Sequence, residues 1–220
     1  MSWYVFALVD QPPAARPGRG LREPLAVRRV PGGFAVIERR ADVPPAEFDT
    51  LRTHDAVVTR IAAAVPAILP VRFGTLLEQE EIEEALAERD EEIVEAFERV
   101  RGRVQFTWRA REVTARGAGA AAPSRKPGGR VPRGAEYLRR AAAKAGPPAA
   151  FRAVRDKLRP LVSAERYQAP TPLLPSSLYH LVGRDGVERY ALVAGKLAST
   201  SPVLRVTGPF APFAFTPELL

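Results

Sequence analysis

The 220-residue chain has no cysteine, which excludes a disulfide framework and a thiolate metal site. It has only two histidines, His54 and His180, so zinc sites and nucleophilic triads lack most of their usual donors. Lysine is scarce too. Lys126, Lys144, Lys157 and Lys196 are the whole set, leaving 29 of the 33 basic residues as arginine. With abundant alanine and 22 prolines, this composition carries the mark of GC-rich coding, and the net charge of +8 is discounted as a nucleic-acid signal for that reason. No apolar run approaches the roughly 20 residues that a membrane helix needs, and no basic stretch leading into an apolar one opens the chain. The expectation is a cytoplasmic protein with no membrane contact. The glycine pairs Gly18-Arg19-Gly20, Gly32-Gly33 and Gly128-Gly129 match neither a P-loop nor a dinucleotide fingerprint and read as turns.

What is present is an ordinary globular balance, 46% apolar and 26% charged residues, with a very uneven distribution of charge. Residues 78–98 hold eleven acids against one base, Arg89, whereas residues 99–166 hold eighteen bases against four acids. A negative helix followed by a positive segment suggests intramolecular pairing or an oriented partner surface.

Trp3–Val9 is β-rich and apolar and reads as a buried strand. Pro31-Gly32-Gly33 lies between Leu25–Val30 and Phe34–Ile37 as a hairpin turn. Pro44-Pro45 precedes a helix with Phe48, Leu51, Val58, Ile61 and Val65 on its buried face, ended by Pro66. Ile68–Phe73 reads as a short central strand. Leu76–Val100 reads as one long helix, its stripe made of Ile82, Leu86, Ile93, Phe97 and Val100, stopped by Gly102. Residues 103–111 alternate, with Val104, Phe106, Trp108 and Ala110 on one face and polar or arginine residues on the other, as in a half-buried strand. Residues 115–134 are expected to be a disordered basic loop. Tyr137–Ala145 and the Phe151, Val154, Leu158, Leu161 stripe are helical, followed by strands at Arg166–Ala169 and Ser177–Val182 and a turn at Gly183–Gly186. A helix through Val187, Tyr190, Val193, Ala194 and Leu197 and a strand at Val203–Val206 complete the pattern. The fold expected is α+β in two domains: an N-terminal mixed α/β domain (1–101), then a C-terminal domain (102–207) of ferredoxin-like β-α-β-β-α-β order, then a Pro/Phe-rich tail (208–220).

No catalytic constellation stands out. His54 falls on the apolar stripe of its helix and reads as a partly buried packing residue, and Asp55 beside it points about 100° away. His180, at the end of a strand, has no second histidine nearby. Aromatics on the strand 103–111, set among arginines, raise an RNA-binding alternative, but they share one face and the arginines the other, so a core face is the better reading. The chain is therefore expected not to be an enzyme, and to hold no metal and no cofactor.

Several motifs, in this order, carry a resemblance. They are the strand Trp3–Val9, Thr53-His54-Asp55-Ala56-Val57-Val58, Pro70-Val71-Arg72-Phe73-Gly74-Thr75, the acidic helix, Gly134-Ala135-Glu136-Tyr137-Leu138 and Leu181-Val182. Thr207-Gly208-Pro209 and its Pro/Phe continuation complete the set. Together they resemble the gas vesicle protein F/L family of accessory proteins. The departures are a tail reading Gly-Pro-Phe-Ala-Pro-Phe-Ala-Phe, where the family tends toward a tryptophan and adjacent prolines, and the basic 115–134 insertion. The resemblance implies an assembly factor or minor component of gas vesicles that contacts the small hydrophobic shell protein and other accessory proteins. Within the motifs, Gly74 is expected to allow a tight turn, Thr75 to cap the acidic helix, and Arg72 to pair with an acid such as Glu78, beside Phe73. His54, Tyr137, Gly208 and Pro209 are read as structural. The candidate partner contacts are Glu83, Glu84, Glu91 and Glu95 on the acidic helix and Phe210, Phe213 and Phe215 in the tail, where packing of the three rings against the protein's own body is the favoured alternative.

Overall fold

The computed structural model describes residues 2–111, 149–171 and 174–220. The basic loop 115–134 and the helix Tyr137–Ala145 lie outside the described residues. Two antiparallel sheets and five α-helices make up the described fold. The chain divides into two compact units: residues 1–106, 181–187 and 208–220 in the first, residues 107–180 and 188–207 in the second.

The first sheet is built around β1 (Trp3–Val9), all seven residues of which are buried. β1 pairs antiparallel with β3 (Gly33–Arg39) on one side and with β4 (Ile68–Pro70) and β5 (Leu76–Leu77) on the other. β2 (Ala26–Val30) pairs with β3 to form the hairpin expected from the sequence. Its turn places Pro31 and then Gly32 in the two central positions, and Gly32 adopts φ +74°, which a type II turn requires of its second central residue. The β1–β3 register shifts between Val5 and Ala7. Such a bulge changes the phase of side-chain alternation, so Tyr4 before it and Phe6 within it share one core with Ala7 and Val9.

α1 (Phe48–Ala64) lays His54, Val57, Val58 and Ile61 into that core. Phe48 and Leu51 do not join them: they are 73% and 42% exposed, because the buried face begins at His54. β4 ends at Pro70 and lies at the end of the strand order rather than at its centre, in keeping with a residue that cannot donate to a ladder.

The acidic segment is not one helix. Leu76-Leu77 forms β5 against β1, α2 runs Gln79–Ala87, and α3 runs Asp90–Val100. A continuous helix would carry Arg89 and Asp90 onto the buried stripe between Leu86 and Ile93. The break at Glu88-Arg89 keeps both in solvent-facing positions and lets each half bury its own apolar residues, Ile82 and Leu86 in α2, Ile93, Phe97 and Val100 in α3. The cap of α2 is Glu78, in a reciprocal capping box with Glu81, and not Thr75. Gly102, at φ +64°, ends α3 in the left-handed position that glycine favours.

The second sheet has the strand order β7-β8-β6-β9, from β6 (Arg103–Ala110), β7 (Ala164–Gln168), β8 (Ser176–Gly183) and β9 (Leu204–Phe210). α4 (Ala150–Leu158) precedes β7, and α5 (Val187–Ser199) joins β8 to β9. β6 is covered more fully than alternation suggests, since Gln105 and Thr107 are buried along with Phe106 and Trp108. β9 runs on from Leu204 to Phe210 through a cis Gly208-Pro209 bond, so the strand takes up residues first read as tail.

Candidate functional site

The Pro70–Thr75 motif is a loop stretched over the end of the first core, and two side chains hold it there. Tyr4 comes from the central strand β1 and His54 from the buried face of α1. The Gly74 N–H donates to the Tyr4 hydroxyl at 3.2 Å, and that hydroxyl lies 2.9 Å from His54 Nδ1. An oxygen that already accepts from Gly74 donates its own hydrogen onward, so His54 accepts at Nδ1 and carries its proton on Nε2. Nε2 itself is buried and makes no hydrogen bond among the described residues, while the Val71 carbonyl favours the charged form of the ring. Through this one hydroxyl, Tyr4 and His54 hold the Gly74 limb of the loop.

Aromatic rings fill the space around this clasp. The Phe6 ring stacks on His54 with centroids 5.2 Å apart, and Phe73 meets both Tyr4 and His54 edge-on. Burial pushes the Tyr4 hydroxyl up to about 12 and, working against the Val71 carbonyl, pulls His54 down to about 4. Neither group changes charge near neutrality, which suits a fixed strut better than proton transfer.

Gly74 adopts φ +93°, making the turn expected of it. Thr75 Oγ1 donates to the Arg72 carbonyl and closes the loop on itself. Arg72 points outward and pairs with Glu218, not Glu78. Arg89, at the α2–α3 break, reaches the Glu218 carbonyl. The C-terminal residues are thereby fastened to this unit at several points. Ala211 joins the first core, the Ala214 N–H donates to the Gln105 side chain at 2.7 Å, the turn Phe213–Phe215 packs on α3, and Phe215 and Leu219 are buried. Phe210 and Phe213 stay about one-third exposed. Gly208, at φ +130°, passes so close to β6 that a Cβ would lie 2.8 Å from the Gln105 carbonyl oxygen.

The acids of α2 and α3 face water. Glu84, Glu91 and Glu95 are exposed, and Glu83 accepts from Gln79 one turn away. Tyr137 lies outside the described residues. Of the residues singled out in the sequence, His54, Phe73 and Gly74 come together, whereas Arg72 and the acids lie on the surface.

Three polar devices escaped sequence reasoning. Tyr4 reads as one more member of an apolar run, although it is the only residue of Trp3–Val9 with a hydroxyl. Glu38 is fully buried on β3, where it accepts from the backbone N–H groups of Leu21, Arg22 and Glu23 and pairs with Arg40, fixing the loop ahead of β2. In the second unit, Trp108 Nε1 donates to the Tyr190 hydroxyl at 2.8 Å, which donates to His180 Nδ1 at 2.8 Å. His180 Nε2 then faces Glu165 at 3.2 Å, and Arg155 pairs with the same carboxylate. A cavity of about 440 Å³ opens beside Glu165, His180 and Arg155. Burial again pulls the histidine down, against the favourable field of Glu165, and pushes Tyr190 up. Both histidines of the chain are therefore acceptors of a buried tyrosine hydroxyl. Phe106 and Trp108 are buried, so β6 offers neither ring to a base. Among the described residues no group of three or more histidine, aspartate or glutamate side chains is placed to hold a metal ion, and no helix is long and apolar enough to cross a membrane.

The family model described as gas vesicle synthesis protein GvpL/GvpF matches residues 2–217. Among solved structures, the gas vesicle protein GvpF from Anabaena sp. aligns with a TM-score of 0.71 at 16% identity, covering 98% of this chain and 96% of that one. GvpF from Microcystis aeruginosa aligns with a TM-score of 0.70 at 14% identity, covering 97% and 98%. At these identities the likeness is one of fold. No curated protein sequence matches.

Proposed function

Because the chain belongs to the gas vesicle synthesis protein GvpL/GvpF family, we propose that it is a non-enzymatic gas vesicle accessory protein in the cytoplasm. It binds the small hydrophobic shell subunit and other accessory proteins while the vesicle nucleates and grows. The observation that carries this reading is the length of the family match, which spans residues 2–217 rather than one motif. A shell subunit that exposes apolar surface before assembly aggregates unless it is covered, and this protein provides the cover.

Two surfaces of the first unit suit that role. One is formed by the acids Glu83, Glu84, Glu91 and Glu95, the other by the exposed rings of Phe210 and Phe213. We read residues 102–207 as a ferredoxin-like domain. Supporting this are the succession β6-α4-β7-β8-α5-β9 and the sheet order β7-β8-β6-β9, which places the first and third strands of the succession at the centre.

The test is co-expression with the shell protein and affinity capture from nuclease-treated lysate. The reading expects a specific complex that survives moderate salt. Recovery of nucleic acid without shell protein would transfer the function to the arginine-rich half.

A further inference from the structure

Val94 on α3 is 51% exposed and Leu192 on α5 is 62% exposed. Each is an apolar residue on the outer face of its helix, and each is flanked at i−3 and i+4 by charges of one sign. Glu91 and Glu98 flank Val94, and Arg189 and Lys196 flank Leu192. Residues three and four apart are neighbours on a helix surface, so each triplet forms one stripe. The two stripes have the same spacing, the same apolar centre and opposite charge. Among the described residues Glu91, Arg189 and Lys196 have no ion pair, while Glu98 shares Arg101 at 2.9 Å. Asp90, also exposed, strengthens the negative stripe, and Glu188 is the only acid of α5.

Gly195 adds an independent observation. It lies inside α5, three residues beyond Leu192, where glycine weakens a helix. Among the described residues a Cβ at this position would meet nothing within 4 Å, so no contact with them accounts for the glycine. A second helix seated closely on this face does account for it, because the missing side chain lowers the surface beside Leu192.

We infer that α3 of one copy docks on α5 of a second copy, Val94 against Leu192, with Glu91 facing Lys196 and Glu98 facing Arg189. The contact joins two different patches rather than one patch to itself. With one apolar residue on each side and a charged rim it is a small, transient interface whose strength depends on salt. It rests on exposure, charge and the open glycine of α5, and stands or falls separately from the gas vesicle reading.

The experiment is sedimentation of the full-length protein over a range of concentrations, repeated with two reversed variants, Glu91→Arg/Glu98→Arg and Arg189→Glu/Lys196→Glu. The wild type self-associates at low salt, and association weakens about tenfold or more when salt rises from about 50 to about 500 mM. Each reversed variant alone sediments as a monomer with an unchanged circular dichroism spectrum. Their equimolar mixture associates again, because each variant then presents the face that the other has lost. Glu188→Gln strengthens the wild-type association. A wild type that stays monomeric at every concentration and salt overturns the inference, and so does a mixture that does not recover. Leu192→Gln, which leaves every charge in place, gives a separate reading should a reversed variant fail to fold: undiminished association in that variant also overturns it.

Discussion

Tyr4 and His54, fifty positions apart in sequence, are joined by a single hydrogen bond of 2.9 Å from the Tyr4 hydroxyl to Nδ1, and the same hydroxyl accepts from Gly74. Three segments that share no local sequence signal, the first strand, the first helix and the loop after β4, thus meet at one oxygen atom. Removing it is the most economical test of the site. Tyr4→Phe keeps the ring and its packing on Phe6 but leaves the Gly74 N–H and His54 Nδ1 without their partner. Orphaning buried polar groups costs about 1–3 kcal/mol. Urea unfolding should show a loss of that size at constant m-value. A loss within error of zero would mean that packing alone holds the loop.

The same contact makes stability depend on pH. The His54 pKa lies at about 4 in the folded protein against 6.5 unperturbed, so between these values the unfolded chain binds the proton and the folded one does not. Stability therefore falls as pH drops below about 6.5 and levels off, for this group, below about 4. The lowered value corresponds to roughly 3 kcal/mol at most, and His180 acts in the same direction. Protonation of Nδ1 also removes the acceptor of the Tyr4 hydroxyl. With only two histidines, the imidazole proton resonances can be followed one by one. The expected outcome is no protonation of His54 above pH 5 and a shallower pH dependence of unfolding in His54→Gln. An ordinary titration near 6.5 in the native protein would show that the ring is hydrated.

Much of this fold is legible in the sequence because it is local. Trp3–Val9, the Pro31-Gly32 hairpin and the stripes of α1 and α5 announce themselves through apolar periodicity and turn chemistry. The break in the acidic segment was legible as well, since Arg89 and Asp90 stand where a continuous stripe needs an apolar residue, but the uniform charge around it masked the gap. What could not be read is long-range. Nothing near Arg72 in sequence points to Glu218, 146 residues away, and nothing in β6 predicts that Gln105 will be buried and accept from Ala214. Phe48 and Leu51 fit the helical period but stay exposed, because the buried face of α1 begins only at His54, and period alone does not say where along a helix its cover starts.

Gly208 offers a test of the backbone rather than of a side chain. At φ +130° an L-residue is strained, and a Cβ there would also lie 2.9 Å from Phe106 Cδ1 and 2.8 Å from the Gln105 carbonyl. Gly208→Ala is expected to lose about 2–4 kcal/mol from the two effects together. Gly195→Ala is the matched control. Its position is helical and open, so it should gain about 0.5–1 kcal/mol. Thermal melts of the two variants should move in opposite directions. A Gly208→Ala protein as stable as the wild type would mean that β9 can withdraw from β6 without loss.

Glu38 presents the sharpest contrast between charge and shape. It is fully buried, its oxygens accept from three successive backbone N–H groups at Leu21, Arg22 and Glu23, and Arg40 completes the cluster. Every group facing it is a donor. Glu38→Gln barely changes volume, yet it turns one acceptor into an NH₂ that must point at donors, and it leaves the largely buried Arg40 without this carboxylate. Breaking a buried charged cluster from one side costs about 3–5 kcal/mol, and the loop ahead of β2 should loosen first. Limited proteolysis can read that directly, with new cleavage between Arg16 and Leu25 in the variant under conditions where the wild type stays intact. An unchanged digest together with an unchanged melt would mean that the loop holds its shape through the contacts of Arg60 with the Pro17 and Arg19 carbonyls instead.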